Sequence, residues 1–187
     1  MHQWGQGAGA PPMQRLDAAQ YCPFFCEENV FRLCERRAAQ GLSALDDQVV
    51  FVTGAPVWSQ ARGDPVFWDY HVFLISGARC FDFDTELGFP CDLREYVLAS
   101  FRPSEFDGAQ VFRVVAADEF LRRFSSDRAH MLDPVTGSFL AAPPTWPRIR
   151  GDEQHPSNLH EYVDSARERE HRWLFLRPPP PPLRRCA

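Results

Sequence analysis

Three residues of this chain have types and placement suited to nucleophilic chemistry: Cys26, His71 and Asp82. A cysteine attacks as the thiolate, and a helix N-terminus and a neighbouring imidazolium both favour that form. Cys26 stands where a helix should start, just ahead of Glu27 and Glu28, whose charges suit a first turn. The same carboxylates oppose a thiolate if they point toward it, so an imidazole partner matters more than the helix. Taken alone, Cys26 reads as a small buried apolar residue. His71, set mid-strand among aromatics, reads alone as a core histidine bonded to a backbone carbonyl.

The hairpin after His71 changes that balance. A Ser76-Gly77 loop pairs Ile75 with Ala78 and sets His71 opposite Asp82, where Cβ atoms stand roughly 4.5–5.5 Å apart. A Gly77-Ala78 loop instead puts Asp84 opposite His71 and Asp82 diagonal to it. Both are allowed two-residue turns, and the first register is preferred here. In either, a carboxylate shares the face of His71 and can orient the ring, the arrangement of a base with its orienter. Asp82 and Asp84 also read as solvated strand residues or a weak metal pair. No CxxC or HxxxH spacing accompanies them, and a zinc site from Cys22, Cys26 and Cys34 is not expected; neither is a cofactor.

Positioning these residues calls for a helix over Cys26–Ala39, with Val30, Leu33, Cys34 and Ala38 at helical spacing and Gly41 as the stop. Gln48–Thr53 predicts a short buried strand and Asp64–Ser76 a long one. Period-2 alternation puts Val66, Trp68, Tyr70, Val72 and Leu74 on one face, and Phe67, Asp69, His71, Phe73 and Ile75 on the other. A return strand over Arg79–Asp84, a strand over Val111–Ala116 and a short helix over Asp118–Phe124 follow. Pro134–Pro147 reads as loop, Glu161–Glu170 as a charged helix, and Arg177 through Leu183 as extended polyproline. The reading requires the thiol and the imidazole to meet within bonding reach, neither facing different sides of the sheet nor held apart by packed core.

With 187 residues, 44% of them hydrophobic, the chain can bury one sizeable core but not two. A formal net charge of −5, with acids and bases interspersed, argues against nucleic-acid binding. No apolar stretch approaches the ~20 residues that span a bilayer. Residues 1–20 lack the basic start and apolar centre of a signal peptide and read as a disordered leader. The six cysteines are therefore expected as free thiols in a reducing compartment.

The runs Cys26-Glu27-Glu28-Asn29, Trp68-Asp69-Tyr70-His71-Val72 and Asp82-Phe83-Asp84-Thr85 resemble the protein N-terminal glutamine amidohydrolases. Phe89-Pro90-Cys91, Ser126-Asp127-Arg128-Ala129-His130-Met131 and the proline-rich turn ending Trp146-Pro147 are similar to further segments of that family, in matching order from about Tyr21 to about Leu159. The resemblance implies a monomeric α/β (α+β) fold: an α-β-α sandwich with an antiparallel central sheet, the core of papain-like and transglutaminase-like cysteine hydrolases. It implies a Cys26–His71–Asp82 triad that converts N-terminal Gln on proteins or peptides to Glu and releases ammonia, feeding the N-degron pathway in the cytoplasm and nucleus. An enzyme that requires a free N-terminus needs a partner for the α-ammonium, and Glu27, Asp69 and Asp127 are the candidates. Each has a plainer role too: Glu27 as a helix-start charge, Asp69 as a strand-face hydrogen bonder, Asp127 as a turn cap. His130 is expected to make a structural loop hydrogen bond.

Three parts are thus expected: the leader, a catalytic domain over residues 21–160, and a divergent C-terminal segment over 161–187. Past Leu159 the resemblance gives way to a charged run and the prolines, so loss of stability or activity is an open outcome. Two other classes stay in view: a different papain-like thiol hydrolase, either peptidase or transglutaminase, and an interaction protein that offers Pro178–Pro182 to an SH3 or WW domain.

Overall fold

The structure, a computed structural model, describes residues 21–42, 47–54, 56–59, 64–101, 110–151 and 155–164. The expected leader and the Pro178–Pro182 tail lie outside these residues. The chain opens with helix α1 (Cys26–Ala39) and continues through β1 (Gln48–Thr53), β2 (Pro56–Ser59), β3 (Asp64–Phe67), β4 (Tyr70–Ser76), β5 (Arg79–Phe81) and β6 (Cys91–Asp92). Then come α2 (Leu93–Phe101), β7 (Val111–Ala116), α3 (Ala117–Arg123), β8 (Ser125–Ser126), a 3-10 turn (Ala129–Met131), β9 (Ile149–Arg150) and α4 (Leu159–Val163). The result is a mixed α/β fold around a five-stranded antiparallel sheet of order β6-β5-β4-β1-β7.

Alternation along β1 and β4 builds a core on each face of this sheet. Val49, Phe51, Val72 and Leu74 pack with Val30, Leu33, Phe120, Phe124 and Tyr162, which brings α1, α3 and α4 to one face. Val50, Val52, Phe73 and Ile75 pack with Tyr96, Val97 and Phe101 of α2 on the other. Helix α1 matches its predicted span and ends in a Schellman motif. Gly41 takes φ 66, its N–H bonds the Ala38 carbonyl, and the Leu42 N–H bonds that of Arg37.

Three expectations need correction. The long strand over Asp64–Ser76 is two strands: β3 pairs with β2 in a separate ribbon, and only β4 joins the central sheet. The return strand is shorter than expected and ends at Phe81. The hairpin register is the one not preferred, since Ser76 faces Arg79 across a Gly77-Ala78 loop. The reason is conformational: Gly77 sits at the first central position with φ 54, which a glycine adopts without the steric cost Ser76 would meet there. The charged helix predicted over Glu161–Glu170 overlaps α4, and its remainder lies outside the described residues.

The start of α1 is held by buried polar contacts. Glu28 is fully buried and accepts from Arg128 at 2.8 and 2.9 Å and from the Trp146 indole at 2.6 Å. Asn29 clamps the backbone of Cys22 through both ends of its amide, at 2.9 and 2.8 Å. Replacing Arg128 with Met keeps the aliphatic stem but strands the Glu28 charge. A loss of about 3–5 kcal/mol is expected in urea unfolding followed by tryptophan fluorescence.

Candidate functional site

Cys26 is the first residue of α1, so its side chain projects from the end of the helix where backbone N–H groups are free of intrahelical partners. It is half-buried, and its thiol donates to Glu27 Oε2 at 3.7 Å. Burial pushes the thiol well above its ordinary range, and the carboxylates of Glu27, Asp84 and Asp82 push the same way. The Val72 N–H is the opposing influence. That N–H belongs to the half of β4 that β5 does not cover, because β5 pairs only with Leu74–Ser76.

The expectation that the thiol and the imidazole share one side of the sheet needs correction, and the bare edge of β4 explains how they still line one cleft. Strand alternation gives them opposite sides: Cys26 packs with the cluster of Val72 and Leu74, while His71 is on the face of Phe73 and Ile75. With no strand beside Tyr70–Phe73, the two faces communicate around that edge. Cys26 and His71 both line a cleft of about 400 Å³ there, together with Tyr21, Asp69, Tyr70, Asp84 and His130. Phe24, Trp68, Met131 and Leu140 form its apolar walls. Phe24, two residues before the helix, takes a left-handed φ of 70, an unfavoured conformation for a bulky residue, and is 72% exposed at the cleft.

His71 Nε2 meets Asp82 Oδ2 at 3.0 Å, both groups buried. The observed register makes Asp82 diagonal to His71, not opposite it. Contact is made because β5 ends at Phe81 and Asp82 begins a turn, its Oδ1 accepting the Asp84 N–H at 3.0 Å. Tyr96 of α2 adds a third donor, its hydroxyl 2.7 Å from the Oδ2 that meets His71. Burial lowers the affinity of His71 for its proton, but the Asp82 carboxylate outweighs it and holds the imidazole above its ordinary value. Burial likewise raises Asp82, and the His71, Tyr96 and Asp84 contacts bring it below the usual carboxylate range. Trp68 stacks on the His71 ring at 4.6 Å between centroids.

His71, Asp82 and Asp84 bring three possible metal-ligand atoms within 4.8 Å of one another. Asp82 Oδ2 is already shared by His71 and Tyr96, and Asp84 Oδ1 accepts the Tyr21 hydroxyl at 2.9 Å. Asp82 is spent on orienting the imidazole and Asp84 on the Tyr21 hydroxyl, so the arrangement reads as that of an imidazole with its orienting carboxylate.

The three candidates for an α-ammonium partner are placed differently. Asp69 is exposed and lines the cleft. Asp127 accepts the Ala129 N–H at 2.9 Å as a turn cap and lines a separate groove with Arg148, Arg150 and His155. Glu27 is fully buried beside the thiol: Oε2 accepts the Tyr70 hydroxyl at 2.9 Å, and Oε1 has no hydrogen-bond partner, with His130 Nε2 3.4 Å away. His130 also meets the Tyr70 hydroxyl, at 3.3 Å, across the cleft rim.

Sequence reasoning did not single out Tyr96, nor the Glu28–Arg128–Trp146 cluster. For Tyr96 a signal existed. Asp92 and Glu95 have capping-box spacing, and the Glu95 N–H does bond Asp92 Oδ1, at 3.0 Å, marking the start of the helix that carries Tyr96.

The N-terminal glutamine amidase family matches residues 21–175, past the point at Leu159 where the resemblance was expected to give way. The protein N-terminal glutamine amidohydrolase of Bos taurus is 40% identical, over 82% of this chain and 81% of that one. The Homo sapiens protein of the same name is 39% identical, over 82% of each. The Oryza sativa subsp. indica protein, also so named, is 36% identical over 79% of this chain and 74% of its own. The fold and the cleft are those of a mixed α/β protein with a thiol and an oriented imidazole in one pocket. The chain belongs to the N-terminal glutamine amidase family, a family of enzymes.

Tyr96→Phe removes a hydrogen bond to a buried carboxylate and should cost about 1.5–3 kcal/mol in urea unfolding at neutral pH. Because the folded Asp82 titrates below its unfolded value, its contribution is present above the ordinary carboxylate pKa and is lost as pH falls through the folded one. Loss of the Tyr96 hydroxyl raises the folded value, so acid unfolding followed by circular dichroism should begin at higher pH in the variant.

Proposed function

We propose that this protein hydrolyses the side-chain amide of an N-terminal glutamine on proteins or peptides, yielding N-terminal glutamate and ammonia through Cys26, His71 and Asp82. The observation that carries this is the shared cleft: a helix-start thiol and an imidazole whose Nε2 is engaged by a buried carboxylate, in a member of this family. With Asp82 on Nε2, Nδ1 is left for the thiol. His71 takes the proton of Cys26 and the sulfur attacks the carboxamide carbon. Backbone N–H groups at the start of α1, with that of Val72 nearby, stabilise the oxyanion. The His71 proton goes to the departing ammonia, and water then hydrolyses the thioester with His71 as base. Asp82 fixes the tautomer and Tyr96 and the Asp84 N–H fix Asp82.

A thiol at a helix start, an imidazole on a packed strand and a carboxylate just after the next strand also support a papain-like or transglutaminase-like core. The product, a protein with N-terminal glutamate, is suited to the N-degron pathway in cytoplasm or nucleus, with the enzyme acting as a monomer. Among the described residues no helix is long and apolar enough to cross a membrane.

The test is ammonia release from a peptide that begins with Gln, set against the same peptide acetylated at its N-terminus. Turnover of the free peptide alone is expected, and equal turnover of both would assign the chain to a broader thiol hydrolase. Cys26→Ala should lower kcat by on the order of 10⁴-fold or more with an unchanged circular dichroism spectrum. Asp82→Asn should lose on the order of 10³–10⁴-fold, and Asp84→Asn clearly less; the reverse order would make Asp84 the orienting group.

A further inference from the structure

The thiol of Cys26 is surrounded by acids. Glu27 on its own helix, Asp82 and Asp84 on the turn after β5, and Asp69 before β4 are the carboxylates at or beside the cleft. The other titratable groups facing this space are His71 and Tyr70 of β4, His130 of the 3-10 turn and Tyr21 ahead of α1. Lysine and arginine are not among the described residues that line it. Glu27 is the acid in direct contact with the sulfur, accepting its proton at 3.7 Å, and it is fully buried with Oε1 unpartnered. A buried carboxylate oxygen without a donor is costly, and here it lies 3.4 Å behind His130 Nε2, with Cys26, Tyr70 and His130 standing between it and the cleft they line.

Resting on the deamidase reading above, we propose that Glu27 makes ionisation of Cys26 depend on the substrate's own α-ammonium. In the free protein the Glu27 carboxylate draws the thiol proton away from His71 and opposes a neighbouring thiolate. A substrate's α-ammonium, entering at the His130 side, moves that ring aside, donates to the unpartnered Oε1 and neutralises the charge. The S–H then turns to His71 Nδ1 and the proton passes to the ring, leaving an imidazolium and a thiolate beside the carboxamide. Glu27 thus acts as a specificity-determining positioning residue. A blocked or absent amino group loses turnover rate as well as affinity, because the nucleophile is never formed. The same positive charge that identifies a chain terminus switches the chemistry on.

The proposal is tested by rescue in trans. A peptide whose first residue is the glutamine skeleton lacking its α-amino group (a glutaramide) is assayed by the mass change from amide to acid, with and without methylammonium chloride. Sodium chloride at the same concentration is the salt control. Methylammonium is expected to raise kcat for the glutaramide peptide tenfold or more, and no rise in kcat overturns the proposal. Glu27→Gln, which keeps size and the Tyr70 contact, should raise the basal kcat on the glutaramide peptide and abolish the methylammonium effect. Persistence of that effect in the variant overturns the assignment to Glu27. A separate measurement needs no turnover: the ultraviolet absorbance of the thiolate, wild type minus Cys26→Ser, followed against pH. Its midpoint is expected to fall by about one unit or more in Glu27→Gln, and an unchanged midpoint overturns the coupling. Failure of wild type to deamidate a Gln-initiated peptide sinks the functional reading, while this titration still decides the electrostatic one.

Discussion

Glu28, sealed from water in the first turn of α1, has to be met by a cation, and it is met by Arg128, a hundred residues further along the chain. The geometry of the site depends on this pair. Arg128 also donates to the carbonyls of Pro144 and Trp146, and the Trp146 indole returns to Glu28. The segment from Ser126 to Pro147, which supplies His130, Met131 and Leu140 to the cleft, is thereby tied to the helix that supplies Cys26. A buried ion pair of this kind gains little over a well-packed apolar contact. What it contributes is position, since the cleft rim and the helix that carries the Cys26 thiol are fixed to one another by bonds of defined direction.

Each residue of the first turn of α1 is turned to a different neighbour, as an advance of 100° per residue requires. Cys26 faces the cleft, Glu27 reaches Tyr70 and His130, Glu28 reaches Arg128 and Trp146, and Asn29 folds back onto Cys22. A helix end with no side-chain cap is secured from three sides, and the thiol of its first residue is left at the cleft. The sheet is cut back to match. Because β5 stops at Phe81, β4 has an open edge over its first half, where the thiol and imidazole reach a common space from opposite faces.

Much of this was legible in sequence, and the exceptions share a cause. The span of α1, β1 and β7 follows from local periodicity and a glycine stop, which depend on residues close in the chain. Cys26 and His71 were legible as chemistry, and a carboxylate on the His71 face was legible from parity alone. Which carboxylate makes contact was not settled by the ladder. That required knowing that Gly77 takes the first central turn position and that the chain leaves the ladder after Phe81. Tyr96, Arg128 and Trp146 act at separations of 14 to 118 residues, where spacing carries no information about direction. The break between β3 and β4 at Trp68-Asp69 is hidden for another reason: strand-forming residues flank Asp69 on both sides, and only pairing with β2 pulls the first part of the run into another sheet.

Asp82 touches the imidazole and Glu27 touches the thiol, and the contrast between these two carboxylates is instructive. Asp82 is saturated, with donors from His71, Tyr96 and the Asp84 backbone, and a carboxylate so bonded holds one position and one charge. Glu27 is equally buried yet has one oxygen shared between a phenol and a thiol and the other unbonded. In a dry site the saturated acid resists perturbation, whereas the under-bonded one responds strongly to any charge brought near it. The fold has placed the saturated acid behind the imidazole and the under-bonded acid beside the thiol. Under the proposed function that division would serve an enzyme that acts on a chain terminus and spares the same residue elsewhere, because the distinguishing charge would fall next to the thiol.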